Sequence, residues 1–309
     1  NITECVDFHH GKRIVITILV CGHDVVIIMH KEGDALLIQQ PVYYPFREVI
    51  EDNGRIFVNN QLHYEDGKYT IDFEDFEKKI VDNNVKVFIL CNPHNPVGRV
   101  WTKEELEKMG DICLKHNVVI MDDEIHCDFT YPGFKFTSFM TLDKKYHNSL
   151  VLYTSPSKTF NVAGLQPANI IIKNPELRAA YRKANAAAGY SQGSIMGQVA
   201  VKSVYTKGDE WVNELVEYIT GNMNYMRDFV KENFPKAQFV DPEGTYLTWV
   251  DFSGYGFTDE ELEHIMVEEA HLWLDSGKVF GPATAQFERF NLACPRATVV
   301  KAMEQLKAA

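Results

Sequence analysis

The sequence predicts an α/β protein: a large domain on a mostly parallel sheet flanked by helices, followed by a smaller α+β C-terminal domain. Two observations carry that expectation. Over the first two hundred residues, short β-branched runs alternate with helical patterns, as parallel strands joined by crossover helices do. Further on, one long helical pattern is followed by strands and helices in mixed order.

Taken in order, "ALLIQ" (35–39), "VKVFILC" (85–91), "NVVIMD" (117–122), "LVLYT" (150–154) and "ANIII" (168–172) read as buried strands. "TKEELEKMGDICLKH" reads as a helix. Thr102 with Glu105 forms a capping-box pattern, and Leu106, Met109 and Cys113 recur at helical spacing. "EWVNELVEYITGNMNYMRDFVKENF" reads as one long helix. An extended piece "GTYLTWVDF", a helix opening at "TDEELEHI", a strand "FERFNLA" and a final helix follow. The expected division places a large domain at 12–203 and a small one at 204–309.

Bulk properties narrow the function. A formal charge of −12 argues against a nucleic-acid partner, which would need clustered Lys and Arg. The apolar runs "IVITILVC" and "DVVIIM" are too short to span a bilayer, so no membrane partner is expected. No signal-peptide pattern opens the sequence. Six cysteines are scattered without paired spacing, which suits a reduced, cytoplasmic setting.

Four predicted strands are each followed by a loop with unusual polar residues, and parallel strands bring such loops to one sheet edge. "QQPVYYPF" carries Tyr43 and Tyr44, which either stack on a planar ligand or belong to a surface or core aromatic pair. "CNPHNPVG" is a rigid Asn-Pro turn in which Asn92 and Asn95 either cap the turn or bind a ligand. "DDEIHCDF" sets Asp123 and His126 at a strand end, with no second histidine at metal-ligand spacing. "SPSK" offers Ser155 and Ser157 as hydroxyl donors and Lys158 as an amine able to form a Schiff base. Together they are the equipment that pyridoxal phosphate requires.

"PVYYPF", "CNPHNPVGRVWTKEEL", "DDEIHCDF", "SPSKTFNVAGLQPANIIIKNP" and "FERFNLACPR" closely resemble the fold-type-I pyridoxal-phosphate enzymes. Within these, the chain looks most like the MalY/PatB-type cystathionine β-lyases (carbon–sulfur lyases), relatives of the class I/II aminotransferases. The resemblance runs from about Asp34 to the C-terminus. It implies that Lys158 would bind the cofactor covalently and then move protons at the substrate Cα. Asp123 would pair with the pyridine nitrogen, Asn95 and His126 would lie by the phenolic oxygen, and Tyr43 would stack on the ring. Tyr44 would lie near the substrate or leaving group. Ser155 and Ser157 would lie near the phosphate, with Ser155 favoured, and Arg289 would clamp the substrate carboxylate. Arg296 is a weaker candidate for that clamp.

Two departures accompany the resemblance. Relatives carry a segment ahead of the equivalent of "RIVITI" that contributes to the small domain; that part is expected to lie outside this sequence. The phosphate-binding glycine turn should follow "IVIT", where Gly22 is the candidate although β-branched residues follow it. Gln166 stands where many aminotransferases carry a phosphate-binding arginine. The resemblance implies β-elimination on a small sulfur amino acid and a homodimer. An aminotransferase and a non-catalytic homologue are the alternatives.

Overall fold

The computed structural model describes residues 32–187 and 193–309; the expected turn at Gly22 lies outside them. Among the described residues the main sheet has six strands in the order β2–β1–β5–β6–β7–β8. These are β1 (Ala35–Ile38), β2 (Ile56–Asn59), β5 (Val85–Cys91), β6 (Val119–Asp123), β7 (Leu150–Thr154) and β8 (Asn169–Ile172). All neighbours are parallel except the pair β7–β8. A short hairpin, β3 (His63–Glu65) with β4 (Lys68–Thr70), stands apart.

Near-continuous apolar strands bury both faces of this sheet, because successive side chains point to opposite sides. Leu37, Phe88, Leu90 and Ile120 pack with Phe76 and Ile80 of α2 (Phe73–Asp82) and with Leu106, Met109 and Cys113 of α3 (Lys103–Lys115). Leu36, Ile38, Val87, Ile89 and Met121 form the other layer, against Phe46, Val49 and Ile50 of α1 (Pro45–Asp52) and Tyr181 of α4 (Pro175–Ala187). The helix α3 opens with the expected capping box, Thr102 with Glu105. Gly110 on α3 lets the helix close on the aromatic layer: a Cβ there would stand 2.7 Å from Tyr146 and 2.9 Å from Phe139.

The chain then runs through α5 (Ile195–Lys207) and the long α6 (Asp209–Asn233). Residue 203, where the expected large domain ends, lies within α5. A four-stranded antiparallel sheet follows, ordered β11–β12–β10–β9. It comprises β9 (Gln238–Val240), β10 (Leu247–Asp251), β11 (Asp275–Ser276) and β12 (Phe287–Asn291). The helix α7 (Asp259–His264) begins at a second capping box, Thr258 with Glu261, and runs into a π-helical turn at Ile265–Glu269. The final helix, α8 (Arg296–Ala308), packs on α6.

One layer of the small sheet joins α6, α7 and α8 through Val250, Phe290, Met226, Leu262 and Met303. Its other layer, with Trp249 and Phe287, enters the same cluster as Phe88 and Leu90 of the large sheet and Tyr69 of the hairpin. The Trp249 indole donates to the Tyr69 hydroxyl at 3.1 Å. The two sheets therefore share a core.

The segment after β9 is stitched between two loops of the large sheet. Glu243 and Gly244 donate backbone N–H groups to the Gly98 carbonyl at 2.8 and 2.9 Å, and Thr245 donates to Phe129 at 2.9 Å. Gly98 has φ +75°, and a Cβ there would meet Pro242 at 2.5 Å, so only glycine fits this approach. Arg99 reinforces the seam with 3.0 Å contacts to Glu243 and to both carboxylate oxygens of Glu105.

Candidate active site

The register sets the site. Cys91 lies opposite Asp123, and Asp123 opposite Tyr153, so the loops after β5, β6 and β7 leave the sheet side by side. The loop after β1 opens at the same edge. Its two rings, Tyr43 and Tyr44, lie 5.7 Å apart, and Tyr44 meets the Phe280 ring edge-on at 5.7 Å. His94 ties this loop to the next, because its Nε2 lies 2.9 Å from the Pro41 carbonyl. Asn92 donates its backbone N–H to the Asp123 carbonyl and its side-chain amide to Thr137.

Asp123 is buried, and one of its oxygens accepts the Ile125 N–H at 3.1 Å. Burial raises its pKa to about 6, against the pull of that N–H and of the Lys158 charge. Lys158 is half-buried in the turn after β7. Burial lowers its pKa; the Asp123 charge opposes the shift and Arg289 adds to it. Both groups thus feel each other's charge within one water-poor site, which identifies them as functional candidates.

His126 is buried and neutral, its pKa lowered to about 3 by burial and by the positive charges of Lys158 and Arg289. Its Nδ1 has no hydrogen-bond partner, and its ring lies 5.3 Å from Tyr246. The Tyr43 hydroxyl is pushed up to about 12 by burial first, then by Tyr44 and Asp123. Arg289 on β12 donates to Asn95 Oδ1 at 2.9 Å, pairs with Asp275, and lies 5.0 Å above the Phe280 ring. Its Nε is buried without a partner.

The sequence-expected residues Tyr43, Tyr44, Asn95, Asp123, His126, Lys158 and Arg289 therefore converge. Ser155 and Ser157 lie in the same turn as Lys158, but both hydroxyls are turned inward. Ser155 Oγ lies 2.5 Å from the Pro167 carbonyl and 2.7 Å from Ser157 Oγ, while Ser157 Oγ is 3.3 Å from the same carbonyl. Arg296 serves elsewhere: it donates to Asn222 Oδ1 at 2.6 Å and lies over the Tyr225 ring, anchoring α8 to α6.

Tyr246 was not singled out by the sequence. It precedes β10 in "GTYLTW", and the stitched segment beside Gly98 and Phe129 puts it against His126. Its pKa rises to about 12 through burial, opposed by Arg289. Among the described residues, no group of three or more His, Cys, Asp or Glu could hold a metal ion, and no helix is long and apolar enough to cross a membrane.

Residues 21–306 match the family model described as aminotransferase class I and II. The chain belongs to that family. It is similar to the cystathionine beta-lyase PatB of Bacillus subtilis, 41% identical over 277 residues, covering 90% of this chain and 72% of that protein. It is 30% identical to protein MalY of Escherichia coli, covering 89% of this chain and 70% of that protein. Among solved structures it is similar to cystalysin from Treponema denticola, which contains a pyridoxal 5'-phosphate cofactor. The TM-score is 0.93 at 37% identity, over 95% of this chain and 75% of that one. The family fold agrees with the mostly parallel sheet found here.

Proposed function

We propose that the protein is a pyridoxal-phosphate-dependent carbon–sulfur β-lyase. It would act on a sulfur amino acid such as cystathionine or cysteine and release a thiol, pyruvate and ammonia. The observation that carries the reading is the shared site of Lys158 and Asp123, each shifted by burial against the pull of the other's charge, in a chain 41% identical to a cystathionine beta-lyase.

The residues present fit the cofactor. Asp123 has one oxygen on the Ile125 N–H and the other left for a protonated ring nitrogen. His126 Nδ1 and Arg289 Nε are buried polar atoms awaiting partners, as polar groups built for a ligand are. Tyr43 offers a ring face beside Asp123. A serine hydroxyl has one proton, and Ser155 gives its own to Pro167 at 2.5 Å, so Ser157 is the hydroxyl better able to turn to a phosphate.

When bound, pyridoxal phosphate supplies an electron-withdrawing ring that takes up charge from the substrate Cα. Lys158 would hold the cofactor and then take the Cα proton; burial lowers its pKa and so brings the amine nearer to neutral-pH base chemistry. Asp123 would keep the ring nitrogen protonated. Arg289, steadied by Asn95, would orient the substrate carboxylate through its unpaired Nε. Tyr44 would border the leaving thiolate. Neutral His126 and Tyr246 would line the cofactor without adding charge.

Loaded with pyridoxal phosphate and offered a panel of β-substituted amino acids, the protein should release thiol and pyruvate in equal amounts. Lys158→Ala should abolish this. Absence of thiol across the panel, with amino transfer to a keto acid instead, would assign the chain to the transaminase branch of its family.

The same proposal includes a cofactor domain at 12–203, a smaller domain at 204–309, a homodimer and a cytoplasmic setting. Ile195, Met196 and Val199 of α5 and Trp211 of α6 are exposed apolar residues suited to a subunit contact. Cys91 and Cys113 are buried free thiols. Sedimentation of the intact chain tests the dimer.

A further inference from the structure

We propose that Thr159 and Asp128 are a positioning pair that fixes Lys158 relative to Asp123; this rests on Lys158 being the cofactor-binding lysine. Thr159 follows Lys158 directly and is 1% exposed. Its hydroxyl donates to Asp128 Oδ2 at 2.6 Å, the length of a charge-assisted O–H···O bond. Its carbonyl accepts the Trp211 indole N–H of α6 at 3.3 Å. The residue beside the lysine is thus held from two sides.

Asp128 belongs to the loop that begins at Asp123. That loop is folded on itself by successive short-range bonds: Ile125 N–H to Asp123 Oδ1, Cys127 N–H to the Glu124 carbonyl, and Phe129 N–H to the His126 carbonyl. Asp128 therefore moves with Asp123. By contrast, the bonds at Ser155, Ser157, Pro156 and Pro167 brace the lysine turn internally. The Thr159–Asp128 bond crosses from that turn to the loop carrying the carboxylate. Displacing a reacting group by about 1 Å can cost on the order of 100-fold in rate, so a strut at this crossing bears on the chemistry.

The test uses wild type, Thr159→Val, Thr159→Ser and Asp128→Ala, each loaded with pyridoxal phosphate. Three quantities are read: the cofactor dissociation constant, the pH midpoint of the visible absorbance of the lysine-bound cofactor, and the thermal midpoint of the cofactor-free protein. Loss of a hydrogen bond to a charged acceptor should weaken cofactor binding about tenfold or more. Thr159→Val should also move the absorbance midpoint, and Thr159→Ser should restore it. Asp128 is only half-buried, so Asp128→Ala supplies a folded variant if the valine change does not; it should give the same shift. Variants that lose thermal stability but keep the wild-type absorbance midpoint and cofactor affinity would overturn the positioning role. A wild type that forms no lysine adduct at all would overturn both this inference and the function on which it rests.

Discussion

Replacing Asp123 with asparagine removes the charge of the buried carboxylate and leaves its shape. Burial raises the Asp123 pKa from 3.8 to about 6. Below the unfolded value, folded and unfolded chains both hold the proton and the site costs nothing. As pH rises through about 6, the folded chain must ionise a desolvated carboxylate, so this part of the stability is lost on going to higher pH. A shift of roughly two units corresponds to about 3 kcal/mol at about 1.4 kcal/mol per unit. The cofactor-free Asp123→Asn protein should therefore gain on wild type by about 3 kcal/mol between pH 4 and 7. Its Oδ1 can still accept the Ile125 N–H. Urea unfolding at several pH values measures the gap, to which Asp122 and Glu124 also contribute, because the Asp123 charge helps to raise both of their pKa values. With cofactor bound, the order should reverse, since a protonated ring would compensate Asp123 and asparagine offers no charge. A stability gap that stays flat from pH 4 to 7 would refute the account of Asp123 as a desolvated anion awaiting a cation.

Other outcomes follow from the same geometry. Arg289→Ala should raise KM for the amino-acid substrate about 10- to 100-fold, the worth of a charge-assisted pair, and steady-state kinetics will show it. Glu243→Ala should lower unfolding stability by about 2–4 kcal/mol in a denaturant titration, because Arg99 and the Val100 N–H lose their shared acceptor. Asp122→Asn should stabilise the protein above neutral pH. Asp122 is fully buried, and burial with the adjacent Glu124 charge raises its pKa well above the carboxylate range. Wild type should lose stability more steeply than the asparagine variant as pH climbs, because Asp123 and Glu124, also raised by burial, remain in both.

Much of the site was legible because it follows strands whose burial is written in the sequence. "VKVFILC" and "LVLYT" form strands with the expected bounds, so the loops after them had to share an edge. The final strand was equally plain in "FERFNLA", and with it Arg289. Less visible were α1, a short helix whose N-cap, Tyr44, makes no side-chain cap bond, and β2, four residues with one buried position. Tyr246 was hidden for another reason. Nothing local marks it; its place depends on Glu243 and Gly244 meeting Gly98, about 145 positions earlier in the chain. The inward turn of the Ser155 and Ser157 hydroxyls likewise depends on Pro167, ten or twelve residues onward.

The backbone stitching of residues 243–245 has a mechanical meaning. A sheet fastened along one margin turns like a door on its jamb. If the C-terminal strands swing, the fastened side barely travels and the free side sweeps. Tyr246 sits at the jamb, next to His126, and would keep its station throughout. Arg289 is carried on the neighbouring strand of the leaf, so its separation from Asn95, on a loop of the large sheet, would report how far the door stands ajar.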